Sequence, residues 1–165
     1  MGRIGLKLYV ALCYTKVCIN KAAESAAGRI SVDTKRVNKK RGCEKMNQER
    51  VVKAGLLGLG TVGSGVYKLV ERQKDEMALK AGAGLEIQKI LVHNMNKKRE
   101  GVDQSLLTDK WEDIMNDDEI EIVIEVMGGI EPARTMILEA LHAGKNVVTA
   151  NKDLVATHGH ELLEA

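Results

Sequence analysis

Gly58, Gly60 and Gly63, in the order Gly58-Leu59-Gly60-Thr61-Val62-Gly63, follow the apolar run Val51 to Leu57 and open a pattern of helical period. Glycines at this spacing suit one task, holding a pyrophosphate. Gly58 permits a tight turn, Gly60 lets the backbone approach the phosphates, and Gly63 allows the helix to pack closely on the strand. The helix start behind them presents unpaired N–H groups and the positive end of the helix dipole. The expected ligand is a dinucleotide.

Which dinucleotide depends on the end of the next strand. A carboxylate there accepts hydrogen bonds from the adenosine ribose in NAD-preferring domains. This chain has His93-Asn94 at that place, and Lys97-Lys98-Arg99 follows at once. Lys97 and Lys98 are the candidates to pair with a 2′-phosphate. The same run also reads as a solvated basic loop. The expected cofactor is NADP, with NAD second.

The elements that would carry these residues alternate. After the glycines, Val62, Val66, Leu69 and Val70 recur at helical spacing, with Lys68, Glu71 and Arg72 turned to water. That helix should end at the glycine-rich Ala81-Gly82-Ala83-Gly84. Leu85 to Val92 reads as a strand, Asn96 to Asp109 as a loop, and Lys110 to Asn116 as a short helix with Trp111, Ile114 and Met115. Ile120 to Val126 is a further strand. Gly128-Gly129 ends it, and Pro132 stands where a helix would begin. Met136, Ile137, Ala140 and Leu141 mark the buried face of that helix, and Gly144 its stop. Asn146 to Ala150 reads as a strand and Leu154 to Ala165 as a helix. The expected fold class is α/β, a Rossmann-like, doubly wound parallel sheet.

The chain has 165 residues, no Phe and an aromatic content of 2%. Its core must therefore come from Val, Ile, Leu, Met and Ala, which suits helices covering a parallel sheet. Charge divides it in two. Residues 1–45 hold eleven Lys and Arg against three acidic residues, whereas residues 46–165 hold fourteen against twenty. Residues 46–165 are read as the nucleotide-binding domain, and residues 1–45 as a basic extension, disordered or non-native, with translation beginning at Met46. A targeting segment is the rival reading of the extension. Ile4 to Ile19 is interrupted by Lys7 and Lys16 and makes a poor membrane span. Leu6 stands where a myristoylation signal wants Ser or Thr. No nucleic-acid partner is expected, since the basic part carries no binding motif. Cys13, Cys18 and Cys43 match neither a zinc site nor a redox pair, and they suit a reducing, cytoplasmic setting. The last helical pattern is uncapped at Ala165, which reads as an interruption of a longer protein.

Three blocks in order, Gly55 to Val66, Glu125-Val126-Met127-Gly128-Gly129-Ile130-Glu131-Pro132-Ala133 and Val147 to Ala156, make the chain resemble homoserine dehydrogenase. The resemblance covers roughly residues 50–165, the family's N-terminal nucleotide-binding domain. It implies reversible reduction of L-aspartate 4-semialdehyde to L-homoserine with NAD(P)H, on the route to threonine and methionine, by a full-length form that is a homodimer. It also implies roles. Gly58, Gly60, Thr61, Val62 and Gly63 match the pyrophosphate turn, and Val62 also reads as a core residue. Met127, Gly128 and Gly129 match the strand end beneath the nicotinamide and its ribose. Thr149, Ala150, Asn151 and Lys152 match the segment between nicotinamide and substrate, and Lys152 matches a lysine for substrate binding and proton transfer. One departure stands out: the family commonly has Arg-Asp where this chain has His93-Asn94. His93 then stacks on adenine or, the preferred reading, caps the strand.

In the family a separate substrate domain supplies a second lysine and the carboxylates that hold the amino acid. This polypeptide is therefore expected to bind cofactor without turning over homoserine alone. Three other readings compete: a different nicotinamide-dependent dehydrogenase, a non-enzymatic dinucleotide sensor that would not need Lys152, and an S-adenosylmethionine-dependent methyltransferase. No metal site is expected.

Overall fold

A computed structural model describes residues 8–10 and 50–165. All of them fall in one compact unit. In chain order the elements are β1 (Leu8–Val10), β2 (Val51–Leu57), α1 (Thr61–Arg72), α2 (Lys74–Ala81), β3 (Gly84–Leu91), a single 3-10 turn (Gln104–Leu106), β4 (Leu107–Thr108), α3 (Glu112–Met115), β5 (Ile120–Glu125), α4 (Ala133–His142), β6 (Asn146–Thr149) and α5 (Lys152–Glu164).

The strands form one six-stranded sheet in the order β1-β6-β5-β2-β3-β4. Every pairing is parallel. From β2 the chain winds first through β3 to β4, then returns to the other side of β2 for β5 and β6. The direction of winding reverses between β2 and β5, and in such sheets the crevice beyond the strand ends at that point takes the ligand.

β2 is central, and its Ala54 to Leu57 are buried on both faces. Alternate side chains feed two cores. Leu57 joins Val123 and Val147 in the layer covered by α3, α4 and α5, through Ile114, Ile137, Leu141, Leu154 and Leu162. Ala54 and Leu56 join Ile87 and Ile90 beneath Tyr67 and Val70 of α1. A largely aliphatic core with helices on both sides of the sheet is what a phenylalanine-free composition predicts, and Tyr67 of α1 is the one buried aromatic among the described residues.

Three details differ from the sequence reading. The inner face of α1 is Gly63, Tyr67 and Val70, whereas Val62 and Leu69 are 57% and 43% exposed. The helix packs through a glycine, so its axis lies closer to the sheet and its buried stripe rotates by about one residue from the pattern of aliphatic side chains. Val62 is therefore no core residue. The helical stretch breaks at Gln73 before its left-handed stop at Gly82. The loop over residues 96–109 contains β4, two residues too short to show a period, which extends the sheet beside Ile90 and Leu91.

Most of the basic extension lies outside the described residues, as do Cys13, Cys18, Cys43 and the Met46 start. Its described piece, Leu8–Val10, pairs with Val147, Val148 and Thr149 at the edge of the sheet. Among the described residues no helix is long and apolar enough to cross a membrane, and no cluster of metal-binding side chains occurs.

Candidate functional site

The strand register sets the site. Leu57 is level with both Leu91 and Glu125, and Glu125 is level with Thr149. The residues after these strands therefore emerge side by side along one edge: Gly58 after β2, Val92 and His93 after β3, Val126 to Gly129 after β5, and Ala150 to Lys152 after β6. Backbone bonds continue the sheet one step past the strands, with Gly58 N donating to Leu91 O at 3.0 Å and Val126 N to Leu57 O at 3.0 Å.

The glycine turn behaves as its spacing predicts. Gly58 has φ +98°, and a Cβ on it would meet the Met127 backbone at 3.2 Å. A Cβ on Gly63 would lie 2.1 Å from the Gly58 carbonyl oxygen, so α1 starts in backbone contact with the turn. Gly60, the residue preceding α1, has nothing within 4 Å of a Cβ position. α1 has no side-chain cap and no acidic residue in its first turn. Its leading N–H groups at Thr61, Val62 and Gly63 are left for an anion from outside the helix. A bare glycine with open space above it, beside an uncapped helix start, fits a pyrophosphate.

A cavity of about 710 Å³ runs from this turn along the ends of β3 and β5. Of the residues singled out in the sequence, Gly58, Gly60, His93, Lys97 and Met127 line it. Lys98 does not, and Arg99 does. Arg99 Nη1 donates to the carbonyls of Asn94, at 3.0 Å, and Lys97, at 2.9 Å, so the loop folds around the guanidinium. Its Nε is buried with no partner. Asn94 Oδ1 is engaged by Asn96 N at 2.9 Å. His93 stands exposed just past β3.

Trp111 lines the far wall, held by a hydrogen bond from Nε1 to Glu139 Oε2 at 2.6 Å. The helical period had marked Trp111 only as part of an apolar face. Its position over the cavity depends on β4, which lines up Thr108 with Leu91 and carries the chain across to α3. Nothing in the spacing of the sequence signals that crossing.

Gly128, Gly129, Thr149, Ala150, Asn151 and Lys152 follow the strand ends further along the same edge, and hydrogen bonds join Gly129, Asn151 and Thr149. Asn151 Nδ2 donates to Gly129 O at 2.5 Å, and Asn151 Oδ1 caps α5 by accepting from Leu154 N at 3.1 Å. Thr149 Oγ1 accepts from Asn151 N at 3.0 Å. Gly128 and Gly129 have φ of +79° and +77°, and nothing lies within 4 Å of a Cβ position on Gly128. Lys152 is the first residue of α5 and is exposed. α5 is pinned to α4 by Arg134, whose Nε donates to Glu161 Oε2 at 2.8 Å and whose Nη1 donates to Glu131 Oε1 at 3.1 Å. The guanidinium holds the Glu161 carboxyl below the usual carboxylate range, and the Thr135 hydroxyl with Arg134 does the same to Glu131.

The family model for the NAD-binding domain of homoserine dehydrogenase matches residues 58–165. The homoserine dehydrogenase of Bacillus subtilis is 44% identical over 115 residues, 69% of this chain and 27% of that protein. That of Corynebacterium glutamicum is 47% identical over 114 residues, 69% of this chain and 26% of that protein. A crystal structure of Staphylococcus aureus homoserine dehydrogenase superposes with a TM-score of 0.66 at 42% identity, covering 70% of this chain and 29% of that one. One from Thiobacillus denitrificans gives 0.65 at 41%, covering 70% and 27%. The chain thus spans about a quarter of the length of the curated relatives it matches.

Proposed function

Because the chain belongs to the homoserine dehydrogenase family, as that family's NAD(P)-binding part, we propose that it forms the cofactor half of an active site that interconverts L-homoserine and L-aspartate 4-semialdehyde. The domain is taken as residues 46–165, with residues 1–45 a basic extension that lends β1 to the sheet. The observation that carries the reading is the shared edge. The glycine turn, the Met127-Gly128-Gly129 turn and the Thr149-Ala150-Asn151-Lys152 segment end neighbouring parallel strands at one level.

The bound nicotinamide supplies or takes up the hydride. The protein's own residues do the rest. Gly58, Gly60 and the N–H groups of Thr61, Val62 and Gly63 hold the pyrophosphate, and His93, Lys97, Lys98 and Arg99 stand at the adenosine end. Met127, Gly128 and Gly129 offer bare backbone to the nicotinamide ribose, and Thr149, Ala150 and Asn151 stand between nicotinamide and substrate. Lys152 is the proton donor to the carbonyl oxygen in the reducing direction and its acceptor in the other. The residues that hold the amino-acid end of the substrate belong to the substrate domain of the full-length form, a cytoplasmic homodimer.

NADP is the preferred cofactor, since no carboxylate ends β3 and two cations line the adenosine end of the cavity. Replacing Lys97 or Arg99 by Ala is expected to weaken NADP binding about tenfold, the worth of one charge-assisted contact to phosphate, with NAD binding unchanged. Lys98→Ala should cost less. Calorimetric titration of each variant with both dinucleotides reads this directly. Equal losses for NADP and NAD would place the two cations outside the 2′-phosphate site. Binding of S-adenosylmethionine in place of either dinucleotide would support the methyltransferase reading instead.

A further inference from the structure

Glu125 is a carboxylate in the wrong place for a simple strand. It lies on the face of β5 that carries Val123 into the apolar layer beneath α4 and α5, and its exposure is 0%. A plain strand end there would carry an aliphatic side chain, because burying a carboxylate is costly unless it is fully hydrogen-bonded. Its partners account for it. Oε1 accepts from Met127 N at 2.7 Å and from Gly128 N at 3.3 Å, and Oε2 accepts from Thr149 Oγ1 at 2.5 Å.

These bonds close a ring. Glu125 holds the Met127–Gly128 backbone with one oxygen and Thr149 with the other. Thr149 holds Asn151 N, and Asn151 reaches back to the carbonyl of Gly129 while capping the helix that begins at Lys152. The ring thus links the turn after β5 to the segment after β6, the two pieces assigned to the nicotinamide end. Among the described hydrogen bonds, Glu125, Thr149 and Asn151 are the side chains that join the two turns. Met127 to Gly129 is otherwise a turn with two consecutive left-handed glycines, which has wide conformational freedom unless something fixes it.

We infer that Glu125 is a positioning residue: its buried carboxylate, working with Thr149, sets the Met127–Gly129 backbone and Lys152 at a fixed distance for the nicotinamide half of the cofactor. The inference rests on the proposed reading that these two turns face the nicotinamide. Glu125 touches neither cofactor nor substrate. A Gln at 125 keeps the shape but turns one acceptor into a donor, so the Thr149 hydroxyl loses the oxygen to which it donates. A Val at 149 keeps the shape and leaves one carboxylate oxygen and the Asn151 N–H unpaired. Both changes strike the ring and replace no residue of the glycine turn at 58–63 or of the cations at 97 and 99.

The test separates the two halves of the cofactor. Wild type, Glu125→Gln, Thr149→Val and Thr149→Ser are titrated with NADPH and, separately, with adenosine 2′,5′-bisphosphate, which lacks the nicotinamide half. Binding is read as quenching of the single tryptophan, Trp111, which lines the cavity. Glu125→Gln and Thr149→Val should weaken NADPH about tenfold, as expected for stranding a buried polar group, and leave the bisphosphate unchanged. Thr149→Ser, which keeps the hydroxyl, should recover most of the loss. In proton–nitrogen spectra the amides of Met127 and Gly128 should move in Glu125→Gln while those of Gly60 to Gly63 stay. NADPH binding like wild type in both Glu125→Gln and Thr149→Val would overturn the inference. So would equal weakening of both ligands, which marks general destabilisation. A wild-type chain that binds the bisphosphate but gains nothing from the nicotinamide half would overturn the proposed reading of the two turns, and the inference with it.

Discussion

Lys152→Ala, in a polypeptide where these residues are continued by a substrate domain, is expected to lower homoserine-dependent turnover by about 10²–10⁴-fold, the usual worth of a positioned proton donor. The Kd for NADPH should rise by no more than about tenfold, the value of one charge-assisted contact. The stability of the fold should not fall. Lys152 is the first residue of α5 and is exposed, and a cation at a helix N-terminus opposes the helix dipole. Its removal is therefore expected to stabilise the helix by about 0.3–1 kcal/mol. A residue placed against its local preference, just past the end of β6 on the edge where the other strand ends emerge, is best explained by what it does there. Lys152→Arg sharpens the test. The guanidinium keeps the charge but holds its proton far too tightly to exchange it at neutral pH, so binding should recover and turnover should not. Turnover of Lys152→Ala close to wild type would make this a solvated lysine and place the proton donor elsewhere, whereas dinucleotide binding with no turnover even in the wild-type continued chain would favour the sensor reading.

Gly63→Ala is expected to abolish dinucleotide binding and to destabilise the domain by about 1–3 kcal/mol or more, the typical cost of forcing an extra carbon into a packed site. The new methyl would lie 2.1 Å from the carbonyl oxygen of Gly58. That oxygen is backbone and cannot rotate aside, so α1 must lift from the turn and carry its N–H groups away from the phosphate position. Gly65→Ala is the paired control. It lies two residues further along the same helix with nothing within 4 Å of its Cβ position, and there the substitution should stabilise by up to about 1 kcal/mol through helix propensity. Thermal unfolding of the two variants should move in opposite directions. If Gly63→Ala unfolds and binds like Gly65→Ala, the close approach of helix and turn is not what the glycine spacing serves.

The sequence made the nucleotide-binding half legible because its requirements are local. Gly58, Gly60 and Gly63 are needed for one turn and one helix start, so their spacing along the chain is their spacing in space. The central strands were equally clear, since Ala54 to Leu57 is buried throughout and Ile120, Ile122, Val123 and Ile124 supply the β-branched side chains of a strand. What stayed hidden depends on elements meeting across the sheet. Arg99 faces the cavity rather than Lys98 because the loop wraps its guanidinium through the carbonyls of Asn94 and Lys97, and a run of three cations does not reveal which one turns inward. Trp111 reached the cavity through the two-residue strand β4. Glu125 lay unremarked inside the strand Ile120 to Val126, and its burial becomes visible only with Thr149 beside it. Val62 shows the opposite error. An aliphatic residue at helical spacing reads as core, yet a helix that packs through Gly63 leaves it exposed.

A chain that holds a dinucleotide groove and half of an active site should bind the cofactor and leave homoserine untouched. A titration of the full chain, residues 1–165, with NADPH, followed through Trp111, with a parallel assay of NADP reduction in the presence of L-homoserine, reads both properties at once. The expected result is saturable one-site binding, competed by adenosine 2′,5′-bisphosphate, and no homoserine-dependent reduction above the rate without protein. Absence of dinucleotide binding by the folded domain, or steady turnover of homoserine by these residues alone, would contradict it.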